Sequence, residues 1–182
     1  MLGSLLSGSL CLLLMGCHSV LSHSEPSASP LPVSLPSTSP PTPASQTAST
    51  TILDPRSQSL PITAQVLLKG KTFQLEVAET PDQQAMGLMY RPALPDDRGM
   101  LFPFEPARPV SFWMMNVPVA LDMVFIAQGR VVAIAANVPP CAQQPCPFYG
   151  PPQAVDHVLE LRSGRTKEIG LRVGEPVQIK HH

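Results

Sequence analysis

The stretch "ITAQVLLKGKTFQLEVA", residues 62–78, holds two apolar runs hinged on Lys69-Gly70-Lys71. In the second run Phe73, Leu75 and Val77 alternate with Thr72, Gln74 and Glu76. That period of two buries one side of a strand and wets the other. Two such runs joined by a short glycine-containing turn form a hairpin. The folded part therefore opens on antiparallel strands, and its neighbours decide whether the β pattern continues.

It does continue downstream. "GMLFPF" (99–104), "VSFWMM" (110–115), "LDMVFI" (121–126) and "VVAIAANV" (131–138) read as strands, with Ala127-Gln128-Gly129-Arg130 as the hairpin turn between the last two. "AVDHVLEL" (154–161) alternates again, and "VQI" (177–179) is a last strand. Two short helices interrupt the series. In "TPDQQAMGLMY" (80–90) Thr80 caps, Pro81 fits the first helical position and Gln83 closes a capping box. Ala85, Leu88 and Met89 then share one face, and the helix stops before Arg91-Pro92. "SGRTKEIG" (163–170) is the second, ended by Gly170. Seven or eight short strands with two short helices predict a mainly β single domain, a β-sandwich or barrel.

Upstream the composition changes. All nine aromatic residues lie between Phe73 and Tyr149, and none falls in the first sixty positions. A segment without large apolar anchors cannot offset the entropy lost in ordering it. Residues 61–182 are thus the domain, of a size that suits one core. Residues 18–60, rich in Ser, Thr and Pro, read as a disordered tether. Stretched as polyproline II it spans on the order of 130 Å, and as a coil about 35 Å.

"MLGSLLSGSLCLLLMG" (1–16) is an apolar run too short to span a bilayer and similar to the core of a secretion signal. It leads into Leu14-Met15-Gly16-Cys17, which resembles a bacterial lipobox. Residues 1–17 are therefore expected to be a signal peptide with Cys17 as the lipidated residue. Several acyl chains, at roughly 0.8 kcal/mol per buried methylene, make a stable anchor. The expected location is the bacterial cell envelope, held on the extracytoplasmic side of a membrane.

Export bears on the loop "VPPCAQQPCP" (138–147). With Cys11 removed in the signal and Cys17 lipidated, Cys141 and Cys146 remain for each other, outside the reducing cytoplasm. Their spacing is not that of Cys-x-x-Cys redox motifs, so a structural disulfide is expected.

The stretches "LEVAETPDQQAMGLMYRPALPDDRGMLFPF", "VSFWMMNVPVALDMVFI", "PPCAQQPCP" and "VLELRSGRTKEIGLRVGEPV" together resemble the DUF192 (UPF0127) family over most of residues 72–179. The resemblance implies a mainly β, jelly-roll-like sandwich and supplies no activity. This chain carries Met115 and Val117 where the family pattern has lysine and threonine.

Candidate chemistry is sparse. Of the 12 basic and 13 acidic residues, Arg56, Glu25 and Asp54 precede position 61, which leaves eleven of each sign in the domain. With no basic stripe interleaved with aromatics, nucleic acid is not an expected partner. His157 is the only histidine between the tether and the chain end, so a catalytic triad or a His/Cys zinc site is undersupplied; no metal and no cofactor are expected. Soft thioethers, Met86 and Met89 among them, suit copper(I), but methionine commonly fills cores. The start of the second helix, with Arg165, has the form of a weak anion site.

Arg91, Trp113, Asn116 and Asp122 are the candidate ligand-binding residues. Asp122 lies between Leu121 and Met123, where a carboxylate is costly to bury unless it is paired or hydrogen-bonded. Arg91 and Asp122 either bracket a polar ligand with Trp113 as a stacking platform, or pair structurally while Asn116 caps a turn. A binding or accessory module with a small-molecule, glycan or protein partner is the first expectation. The alternatives are a small envelope enzyme using Asp122, Arg91 and His157, or a structural envelope component.

Overall fold

In a computed structural model, residues 54–182 are described. The expected signal segment 1–17 with Cys17, and the tether up to position 53, lie outside the described residues. The domain is mainly β, with seven strands and two short helices.

β1 (Ile62–Leu68) and β2 (Lys71–Val77) form the expected hairpin. Its turn places Lys69 at φ 50° and Gly70 at φ 75°, the doubly left-handed geometry that matches strand twist. Helix α1 (Pro81–Met86) follows, with the Thr80–Gln83 capping box formed in both directions. It ends at Met86, four residues earlier than expected. Gly87 turns the chain at φ 47°, and a Cβ there would already touch the Phe102 ring at 3.5 Å. The crossover through α1 brings β3 (Arg98–Arg108) parallel to β2.

β4 (Leu121–Ala127) and β5 (Arg130–Val138) form the second hairpin, turning at Gln128 (φ 52°) and Gly129 (φ 69°). β6 (Val155–Arg162) inserts between β3 and β4, antiparallel to both. Helix α2 (Arg165–Glu168) and β7 (Gln178–His181), which pairs with β1, complete the order β5-β4-β6-β3-β2-β1-β7.

"VSFWMM" is not a strand. It makes only single bridges, Phe112 to Tyr149 and Met115 to Cys141. Pro109 and Pro118 bracket it, and Asn116 adopts φ 60°, so a ladder cannot extend in either direction.

The sheet curls until its outer strands meet. Val131 N donates to Glu175 O (3.0 Å), Gly174 N to Val131 O (2.7 Å) and Val177 N to Gly129 O (2.8 Å), joining the start of β5 to the segment before β7. The enclosed side holds one core with members from β1 to β6 and from the segments around β7, among them Val66, Phe73, Leu101, Val124, Val131, Leu159 and Val177. On the outer side of β3, β4 and β6 a second core of Met100, Phe102, Met123, Phe125 and Val158 is covered by Leu88 and Leu94 of the segment after α1 and by the 110–117 segment. One curled sheet thus supplies the layered packing expected of the domain.

Candidate functional site: a groove floored by Glu160

The segment 112–115 alternates in its burial. Phe112 turns inward and meets Phe102, Phe104 and Phe125 edge-on at 5.1, 6.3 and 6.2 Å. Met114 is buried. Trp113, between them, is 41% exposed and stacks on Phe148, which is 66% exposed, at 5.9 Å with the rings 12° from parallel. Edge-on and stacked pairs are the favoured aromatic geometries.

Phe148 is held by a clasp. Cys141 and Cys146 form a disulfide. On one side of it Cys141 N donates to Met114 O (3.3 Å); on the other, Phe112 and Tyr149 exchange backbone hydrogen bonds at 2.8 Å each. That approach requires Gly150, where a Cβ would fall 2.1 Å from the Val110 carbonyl oxygen.

Between α1 and the 110–113 segment runs a groove with two parts. The outer part, 230 Å³, is walled by Gln84, Phe104, Arg108, Ser111 and Trp113. The inner part, 40 Å³, is lined by Met86, Met89, Phe102, Phe112, Trp113 and Glu160, among others. Gln84, Ala85, Phe112 and Trp113 border both.

Among the described residues Glu160 is the one ionisable side chain in the inner part. It stands on β6 with Met100 and Met123 as cross-strand neighbours, and is 5% exposed. Among the described residues its carboxyl has no hydrogen-bond partner, and burial pushes its pKa up to about 8. At neutral pH such a group is mostly protonated. It reads in the sequence as one polar position of an alternating strand, yet its flanks, Leu159 and Leu161, are as apolar as those that single out Asp122.

The other candidates are dispersed. Arg91 does not meet Asp122; it makes a two-pronged ion pair with Glu76 (2.8 Å in each arm), both side chains about a tenth exposed, and also donates to Gln58 O at 3.1 Å. Asp122 is fully buried and satisfied within the fold. Its oxygens accept from Asn137 N (2.8 Å), Gly164 N (3.0 Å), Thr166 N (2.8 Å) and Thr166 Oγ1 (2.6 Å). These amides spend the start of α2 on Asp122, so the expected anion site there is not available; Arg165 turns to Glu168 at 3.1 Å. Asn116 makes a turn, its carbonyl accepting from Tyr90 N at 2.8 Å, and its side chain lies 3.9 Å from Met89 Sδ. His157 Nδ1 lies 2.8 Å from Asp156 Oδ1, although strand alternation predicts opposite faces. The β3–β6 register breaks beside this pair, and Asp156 also caps the β4–β5 turn through Gln128 N at 2.6 Å. Of the four candidates, Trp113 alone lines the groove.

A profile of the DUF192 family, described as "Uncharacterized ACR", matches residues 64–179. The chain belongs to the DUF192 family. No curated protein matches it. Two solved structures resemble the DUF192 domain, each at 33% sequence identity. One, from Novosphingobium aromaticivorans, is a protein of unknown function, with TM-score 0.58, covering 64% of this chain and 83% of its own. The other, from Sinorhizobium meliloti, is described as a proposed transcription regulator, with TM-score 0.59, covering 66% of this chain and 97% of its own.

Proposed function

We propose that this DUF192 chain is an exported, lipid-anchored binding module of the cell envelope, which takes a small ligand in the groove between α1 and Trp113. One observation carries the binding role: a buried, unpartnered carboxyl, Glu160, ends a groove at whose mouth Trp113 is exposed. A buried polar group without a partner costs roughly 1–3 kcal/mol, and a ligand that supplies the partner recovers that cost. The signal-like segment, Cys17 and the Ser/Thr/Pro tether support the envelope location. The enzymatic alternative loses support, because Asp122 and Arg91 are consumed by contacts within the fold. A regulator of transcription, as the Sinorhizobium protein is described, finds no support in the domain's balanced charge.

The test is a fluorescence and thermal-shift screen of amines, sugars, amino acids and envelope fragments. Trp113 is the single tryptophan, so its emission reports on the groove. A ligand well above its dissociation constant raises the melting temperature. A hit that shifts both signals, and loses both in Trp113→Leu, supports the role. Binding that leaves Trp113 emission unchanged places the site elsewhere and refutes it.

A further inference from the structure

The inner part of the groove gathers several electron-rich groups in a largely apolar lining. Met86 and Met89 bring thioethers, Phe102, Phe112 and Trp113 bring aromatic rings, and Glu160 brings a carboxyl, the rest of the lining being mostly apolar. The amide nitrogen of Gln84 is already committed to Ala78 O (3.2 Å) and Pro103 O (2.8 Å). Among the described residues Trp113 Nε1 is the one side-chain N–H left at the border between the two parts. Such a chamber offers an anion no charged partner, and a lone-pair acceptor only Trp113 Nε1 and the proton of Glu160. It suits a cation, which aromatic faces attract and a carboxylate neutralises.

From this geometry we infer that the groove binds an alkylammonium ligand, its charged head against Glu160 and its apolar stem along Met86, Met89 and Trp113. The inference rests on the binding role proposed above and names the ligand class. The inner volume of 40 Å³ admits roughly three water-sized groups, enough for an ammonium head and the first carbons of a stem. The remainder of the ligand lies in the 230 Å³ outer part.

Binding exchanges charge in a defined way. The empty site holds Glu160 protonated at neutral pH, because its pKa is raised to about 8 by burial. The ammonium favours the carboxylate, so one proton leaves the carboxyl for solvent as the ion pair forms. Among the described residues no other titratable side chain lines the inner part: α1 brings Gln84 and Met86, the 87–89 turn Leu88 and Met89, β3 Met100 and Phe102, β4 Met123, and on β6 itself Arg162, two positions on, is paired with Asp96 and Glu168. Arg108 belongs to the outer part. Affinity therefore rises with pH up to about 8 and levels off above it, roughly tenfold between pH 7 and pH 9.

The intact chain is titrated with n-butylammonium chloride, followed by Trp113 emission and by calorimetry in two buffers of unequal ionisation enthalpy. Saturable binding at pH 7 with release of close to one proton is expected, and 1-butanol should bind at least tenfold more weakly. Glu160→Gln keeps the size, removes the charge, and should lose both the proton release and at least tenfold in affinity. Equal affinity in E160Q, or binding without proton release, overturns the inference. So does tight Ag(I) binding that Met86→Leu removes while the amine does nothing. Should E160Q not fold, the ¹³C resonance of the Glu160 carboxyl in the parent chain decides, since an unmoved resonance at saturation also overturns it. A neutral or anionic compound that moves Trp113 emission when amines do not overturns the ligand class alone. Silence from every class overturns the binding role as well.

Discussion

Glu160→Gln also makes a prediction that needs no ligand. The carboxyl titrates at about 8 in the folded chain against 4.5 for the unperturbed group. Below pH 4.5 it is protonated in both states and contributes nothing to the pH dependence. Between the two values the unfolded chain ionises while the folded chain keeps its proton, so unfolding releases a proton and stability falls as pH rises. Above about 8 both states are ionised and the full penalty is present. At about 1.4 kcal/mol per pH unit, the cost is on the order of 3 kcal/mol at pH 7 and about 5 kcal/mol at pH 9. Glutamine cannot ionise and carries none of it. Urea denaturation of both proteins at pH 4.5, 7 and 9 should therefore show E160Q gaining on the parent by these amounts. Other groups titrate alike in both proteins and cancel from the difference. A difference that is flat across this range would refute the assignment of Glu160 as a buried, unpartnered acid.

Asp122→Ala strips the acceptor from the amides of Asn137, Gly164 and Thr166, the last of them buried, and should cost roughly 3–5 kcal/mol in chemical denaturation. Arg91→Ala leaves Glu76 buried without its partner and should cost about 3–5 kcal/mol, against a smaller loss for Arg91→Lys, which keeps the charge but not the two-pronged pairing. Reducing the Cys141–Cys146 bond should cost about 2 kcal/mol through loop entropy and change Trp113 emission as Phe148 loosens; unchanged emission would mean that the clasp does not hold the stack. In a bacterial host, Cys17→Ser should move the chain from the membrane to the soluble fraction, and retention on the membrane would count against lipidation at Cys17.

What was legible in the sequence were the short-range signals. Each hairpin turn pairs a polar residue with glycine, and Thr80, Pro81 and Gln83 name their helix start without help from elsewhere. The failures came where distant chain decides. An apolar run broken only by Ser111 makes "VSFWMM" look like a strand, but prolines and a left-handed Asn116 deny it a ladder, and its side chains pack as a covering loop. Asp122 stands out in the sequence as a carboxylate that needs partners, and Arg91 as a group to set beside it, yet the two do not meet. Their partners sit far along the chain, Glu76 15 positions away and Thr166 44, so spacing gave no guide to them. Glu160 was hidden by the opposite effect. An alternating strand predicts that its polar side is wet, and only the packing of Leu88, Phe112 and Met114 on that side turns it into a second core.

The amide cage around Asp122 also bears on the order in which the domain can assemble. A carboxylate leaves water at a cost of several kcal/mol unless its partners are in place. Three of those partners come from Gly164 and Thr166, two-thirds of the way from β4 to the last described residue. As the chain emerges from its amino end, β4 and β5 can pair early, but Asp122 stays hydrated until α2 arrives. The β4–β5 hairpin thus has little reason to bury its inner face ahead of the rest, and the domain completes in one cooperative step near its carboxyl end. A chain truncated before Gly164 should for this reason remain unfolded and open to proteases, however many of its strands are already present.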